Sequence, residues 1–186
     1  GTTPQASIRL AAANSILDRV GIVKKDQLDI NMKALHGIFI LPAKDNNKKD
    51  VKNAIKKGIK DNLIKRLILD DKKISNIINS IKNIIKLKDP TNIVLEKWRR
   101  PNGLNISKIS IPIGIIGVIY ESRPNVTSDV ASLCFKSGNT VILKGGTEAF
   151  NSNFILSKLF RKSLQKNNLD ENFVQFVNVK NRKVVD

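Results

Sequence analysis

One cysteine, Cys134, is all that 186 residues provide. A lone thiol cannot close an intrachain disulfide or build a cysteine-based zinc cluster, and such sparing use fits a reducing compartment. The cytoplasm is therefore the expected location. The single histidine, His36, has no matching Ser or Cys with an Asp, so a catalytic triad lacks support, and no metal-ligand spacing occurs. No run of about eighteen apolar residues is present. The opening GTTPQASIRLAAANSILDRV has no basic segment followed by a continuous apolar one. Membrane spanning and secretion are both disfavoured. With one Trp, one Tyr and seven Phe, aromatics are too sparse to form a stacking platform for single-stranded nucleic acid.

What is abundant is lysine. The formal charge is +17, and 25 of the 33 cations are Lys. Such a balance raises a polyanion as partner. The lysines are scattered from Lys24 to Lys183, however, and the chain is equally rich in Ile and Asn, as A/T-biased coding would make it. The pattern is that of a solvated surface rather than a nucleic-acid stripe.

The length suits one good-sized domain or a domain with an appendage. Residues 1–92 read as helices. QASIRLAAANSILD carries Ile8, Ala11, Ala12 and Ile16 at helical spacing, and a second helix passes through Leu28, Met32 and Leu35. AKDNNKKD reads as a polar loop, with Asp50 capping a helix that has Val51, Ala54 and Ile55 on one face. In DDKKISNIINSIKNIIKLKDP the residues Ile74, Ile77, Ile78, Ile81, Ile84 and Ile85 form a stripe about 100° wide. Asp70 or Asp71 supplies its cap and Pro90 its stop.

At residue 93 the period shortens to two. Residues 93–111 read as a β-hairpin with a Pro-Asn-Gly turn, exposed on the side of Asn105, Ser107, Lys108 and Ser110 and open to pairing. From 112 to 186 strand, helix, strand, helix, strand follow: IGIIGVIY apolar on both faces, SDVASLCFKSG capped by Thr127 or Ser128 and ended by Gly138, then TVILK, GTEAFNSNFILSKLFRKSLQKN and FVQFVNV. This is the order of a parallel α/β sheet, here a partial Rossmann-like one.

In such sheets ligands bind beyond the carboxyl ends of the strands. Two loops take that position. In KGGTE, Lys144 offers a cation, Gly145 and Gly146 permit close backbone approach, and Thr147 leads to Glu148, which can accept from ribose hydroxyls; a plain tight turn gives the same spacing. The segment is neither a GxGxxG fingerprint nor a Walker A loop. In YESRPNVT, the Asn125 amide can stabilise an oxyanion and Arg123 can hold a phosphate or carboxylate, or Asn125 caps the helix and Arg123 is solvated. Cys134, inside a helix with Val130 and Leu133, reads as packing.

The succession GVIYESRPNVT, LCFKSGN and VILKGGTEA resembles the signature region of γ-glutamyl phosphate reductase (glutamate-5-semialdehyde dehydrogenase), within the aldehyde dehydrogenase-like superfamily. The resemblance extends over about residues 48–186. It implies NADPH-dependent reduction of L-glutamyl 5-phosphate to glutamate 5-semialdehyde in proline biosynthesis. By similarity, Lys144 to Glu148 lie along the adenosine side of NADPH, Lys144 faces its 2′-phosphate, Asn125 is the oxyanion donor and Arg123 touches substrate. The 94–110 hairpin is similar to the family's oligomerisation arm, which implies a homo-oligomer or association with a missing C-terminal half. The family's nucleophilic cysteine lies in a downstream catalytic domain, and Cys134 matches a non-catalytic helix position. The expectation is a cofactor-side part, inactive alone; the alternative is a catalytically dead remnant serving as a binding or assembly module.

Overall fold

The computed structural model describes residues 43–181. The helices expected within 1–42, His36 and the last five residues lie outside that range.

Helix α1 occupies residues 43–56, where a polar loop was expected up to residue 50. The reason is an inward stripe that is partly polar. Ala43, Asn47, Asp50 and Ala54 are buried and spaced at i, i+4, i+7 and i+11. Asn47 fastens the helix to the chain beyond α2 (Asp61–Leu67): its Nδ2 donates to Leu67 O at 2.7 Å, and its Oδ1 accepts from Leu69 N at 2.8 Å. Asp50 is thus interior to a helix rather than its cap.

Helix α3 (Asp71–Lys86) follows the isoleucine stripe as expected. Asp70 caps it by accepting from Lys73 N at 2.7 Å, and Ile74, Ile77, Ile78, Ile81 and Ile84 are buried. Each buried isoleucine stabilises by about 1.5–3 kcal/mol, which holds the helix against the α/β layer.

The hairpin forms from β1 (Val94–Arg99) and β2 (Asn105–Ile109), antiparallel, with a register shift between Val94 and Glu96. Its turn needs a glycine: Gly103 has φ +85°. Exposure was expected on one side, yet every residue of β1 is exposed and Leu95, Trp98 and Ile109 are among the open apolar residues. The ribbon stands clear of the body on both faces.

The sheet is parallel, in the order β3 (Ile115–Tyr120), β4 (Thr140–Gly145), β5 (Val174–Phe176). Helices α4 (Pro124–Lys136) and α5 (Phe150–Lys166) cross between the strands, and a 3-10 turn at Thr147–Ala149 leads into α5. Residues Ala131, Phe135, Phe160 and Leu164 pack on Val141, Leu143 and Val174 in one core. Both crossover helices therefore cover the same sheet face. Strand β3 was expected to be buried on both faces, but its exposure alternates, with Ile115 71% and Ile119 67% exposed. The sequence there is apolar on a face that the described residues leave open.

The start of α4 and the extent of the last strand differ from expectation. Helix α4 starts at Pro124, where proline's fixed φ and missing N–H suit the first helical position. Thr127 and Ser128 are buried inside it rather than capping it. The last strand is confined to three residues. The end of α4 is as read: Gly138 has φ +74°, and Asn139 N donates to Cys134 O at 2.8 Å.

Candidate functional site

The two loops beyond β3 and β4 meet, because parallel strands in register place their carboxyl ends side by side, Tyr120 opposite Gly145. Ser122 Oγ donates to Glu148 Oε2 and ties one loop to the other. The contact is close along the backbone too. A Cβ on Gly146 would stand 2.1 Å from Ser122 Oγ and 2.8 Å from Ser122 N, and one on Gly145 would stand 2.2 Å from Asn153 Nδ2. The proximity that demands both glycines is within the protein.

Lys144, the last residue but one of β4, is 8% exposed, and its Nζ makes one long hydrogen bond, 3.5 Å to Gly145 O. An ammonium has three donors, so it retains capacity for an anion. Arg123 Nη2 lies 3.1 Å and Arg66 Nη1 3.7 Å from Glu121 Oε2, which brings two guanidinium groups together at the loop. Asn125 is exposed in the first turn of α4. Lys144, Glu148, Arg123 and Asn125 thus cluster at one end of the sheet. The sequence reading did not single out Ser122 or Arg66. Ser122 could have been suspected from its place in the same loop; Arg66 arrives from a distant helix and had no local signal.

Helix N-termini are ready anion sites, but the one following KGGTE is filled from within. Asp50 accepts from Asn151 N (3.2 Å), Asn151 Nδ2 (2.7 Å), Ser152 N (2.7 Å) and Ser152 Oγ (2.6 Å). A ligand phosphate at this loop must be held by side chains or by the other loop.

Beneath the loops runs a buried polar chain. Thr127 Oγ1 donates to Asn153 Oδ1 at 3.0 Å, so the 2.7 Å bond between Tyr120 Oη and Thr127 Oγ1 has Tyr120 as donor. Burial pushes the Tyr120 hydroxyl up to about 12. Because the fold binds this proton more tightly than the unfolded chain does, the associated stability is present below pH 10 and fades between about 10 and 12. Two units correspond to about 2–3 kcal/mol. As Tyr120 is the only tyrosine, the tyrosinate absorbance of the native protein is expected to rise with a midpoint near 12. Tyr120→Phe should lose less stability than the parent over the same interval; a native midpoint at the ordinary value of 10.0 would contradict the assignment.

Cys134 is 8% exposed in the core, and desolvation raises its thiol pKa. That is the setting of an inert packing thiol. Among the described residues no group of three or more His, Cys, Asp or Glu could hold a metal, and no described helix is long and apolar enough to cross a membrane.

No family model matches the chain. The γ-glutamyl phosphate reductase of Thermodesulfovibrio yellowstonii is 45% identical over 139 residues, 75% of this chain and 33% of that enzyme. That of Halothermothrix orenii is 42% identical over 163 residues, 84% of this chain and 39% of the enzyme. The chain thus spans well under half the length of the curated relatives it matches. Among crystal structures, γ-glutamyl phosphate reductase from Thermotoga maritima matches 100% of this chain and 40% of its own, with TM-score 0.83 and 34% identity. The Saccharomyces cerevisiae enzyme matches 100% and 49%, with TM-score 0.73 and 26% identity. At 15% identity, Rhodopseudomonas palustris propionaldehyde dehydrogenase (97% and 34%, TM-score 0.53) shares the fold. So does an engineered glycolyl-CoA reductase with bound NADP+ (96% and 34%, TM-score 0.50). In sequence and in fold, the chain belongs to the γ-glutamyl phosphate reductase family, and it matches a part of those enzymes.

Proposed function

We propose that this chain forms the cofactor side of a site that reduces L-glutamyl 5-phosphate to glutamate 5-semialdehyde with NADPH. The observation that carries the reading is the junction of the two strand-end loops, with Lys144, Glu148, Arg123 and Asn125 at one end of a parallel sheet. The donor set suits a phosphorylated dinucleotide. Lys144 has spare ammonium donors for a 2′-phosphate, and Glu148 keeps Oε1 for ribose hydroxyls while Ser122 fixes Oε2. NADPH, when bound, supplies the hydride. Arg123 and Arg66 hold the substrate's anionic end, and the Asn125 amide donates to the carbonyl oxygen as charge develops on it.

Cys134 takes no part, being packed in the core with a raised pKa. The thiolate that displaces phosphate is therefore not supplied by this sequence, whose only cysteine it is. The exposed hairpin of β1 and β2 and the open face of β3 favour association, with a second copy or with chain that completes the enzyme.

Fluorescence titration with NADPH tests the reading. Saturable binding is expected, weakened at least tenfold by Lys144→Ala, while the purified chain alone reduces no glutamyl phosphate. Absence of saturable binding would transfer the case to an assembly module. Turnover by the isolated chain that disappears in Cys134→Ser would overturn the role given to that residue.

A further inference from the structure

A cavity lined by several charged side chains lies beside the loops, not between them. It holds about 570 Å³, a volume typical of small-molecule sites, between α3, the end of α2 and the first two turns of α4. Four cations line it: Lys65, Arg66, Lys73 and Arg123. Lys73 Nζ is already committed, donating to Lys65 O at 2.6 Å and Ile68 O at 2.8 Å. One carboxylate sits among them, Asp129, whose Oδ1 accepts from Ser80 Oγ at 2.7 Å. Among the described residues no hydrogen bond is made to its Oδ2.

A site for a simple anion has no use for that carboxylate, which would repel the ligand. A ligand carrying a cation and anions together would use it. Resting on the reading above, we propose that Asp129 is a specificity-determining residue: with Ser80 orienting it, it accepts the α-ammonium of an amino-acid acyl phosphate, while Arg66 and Arg123 take the anionic groups.

Charge and length both agree. The ligand combines an α-ammonium, an α-carboxylate and a phosphoryl group of about −1.5 to −2. Its net charge is therefore negative while one of its groups is cationic. The cavity is likewise net positive with one anion in it. Asp129 follows Asn125 by four residues on α4, so the two lie on one helix face about 6 Å apart along the axis. In an extended glutamyl chain the ammonium nitrogen and the acyl carbon are four bonds apart, about 5 Å at standard bond lengths. With the ammonium at Asp129, the acyl carbon falls beside Asn125, the residue assigned to its oxygen. Arg66 and Arg123 also border the neighbouring recess of Ser122, Gly146 and Glu148. They stand between the amino-acid end and the nucleotide end.

Two hydrolytically stable phosphonates test this with the full chain: 2-amino-6-phosphonohexanoate, which matches the length of glutamyl phosphate, and 6-phosphonohexanoate, which lacks the amine. Calorimetric titration is expected to show the amino compound bound at least tenfold more tightly. Asp129→Asn, which keeps an oxygen for Ser80, should abolish that preference while leaving the amine-free compound bound as well or better. Asp129→Glu should recover part of it, and Arg66→Ala should weaken both ligands. Equal binding of the two phosphonates by the parent chain, binding of neither, or a preference that survives in Asp129→Asn would overturn the assignment. NADPH titration of the same samples separates the causes. If NADPH binds and the amine is not distinguished, only the role of Asp129 falls; if NADPH does not bind either, the reading of the whole site falls with it.

Discussion

Asp50→Ala is expected to cost about 3–5 kcal/mol, a large share of the 5–15 kcal/mol that holds a domain of this kind together. The carboxylate is 2% exposed and receives four hydrogen bonds from Asn151 and Ser152. Two of those donors are the orphan backbone N–H groups of the first turn of α5, a position that normally relies on a local cap. Here the local cap is missing: Ala149 occupies the N-cap position and its methyl group cannot accept a hydrogen bond. The chain solves the problem from a hundred residues away, with an acid that also sits at the positive end of the α5 dipole. Alanine removes the acceptor from all four donors and leaves those of Ser152 buried without it. Asparagine keeps one acceptor but turns an NH2 group toward N–H donors, so Asp50→Asn should fall between alanine and the parent. Urea denaturation provides the comparison, with Lys49→Ala, its exposed neighbour, expected within about 0.5 kcal/mol of the parent. Equal midpoints for Asp50→Ala and Lys49→Ala would refute the capping role. Because α5 begins directly after KGGTE, Asp50→Ala should also weaken NADPH in proportion as that loop loosens.

The same residue marks where the sequence was legible and where it was not. Helix α3 could be read because its buried face is written entirely in isoleucine, so period and burial coincide. The end of α4 could be read because Gly138 has the left-handed conformation that a helix terminus of this type favours. The first half of helix α1 could not, because half of the helix's buried stripe is Asn47 and Asp50, and polar residues signal burial only once their distant partners are known. The open face of β3 was hidden for the opposite reason. Ile115 and Ile119 are apolar whether or not anything covers them, so residue type alone could not tell an interior strand from an exposed one. Lys144 at a strand end and Glu148 near a helix start could be read because strand and turn chemistry are local. The bond from Ser122 to Glu148, the approach of Arg66 and the neighbourhood of Asp129 depend on packing between elements. No spacing in the chain records them.

The glycines of KGGTE separate a structural demand from a ligand's demand. Gly146 has φ −60° and ψ 153°, a conformation open to any residue, so its backbone supplies no reason for glycine. The reason is space: an added Cβ would meet Ser122 Oγ at 2.1 Å, Ser122 N at 2.8 Å and Ser122 Cα at 3.2 Å. The serine hydroxyl can rotate away, at the loss of its bond to Glu148, but the backbone nitrogen cannot move without shifting the whole loop. Gly146→Ala is therefore expected to destabilise the free protein by about 2 kcal/mol or more, in the range of overpacked interiors. Combining it with Ser122→Gly should restore only part of the loss, because the backbone contact remains. Gly117→Ala is the control: nothing lies within 4 Å of its added Cβ, so a change within about 0.5 kcal/mol is expected. If Gly146→Ala unfolded at the parent's urea concentration yet lost NADPH binding, the glycine would be serving the ligand's approach rather than the junction. If stability and NADPH binding fall together, with Ser122→Gly recovering both in part, the two loops act as one clamp, and the glycines are what let it close.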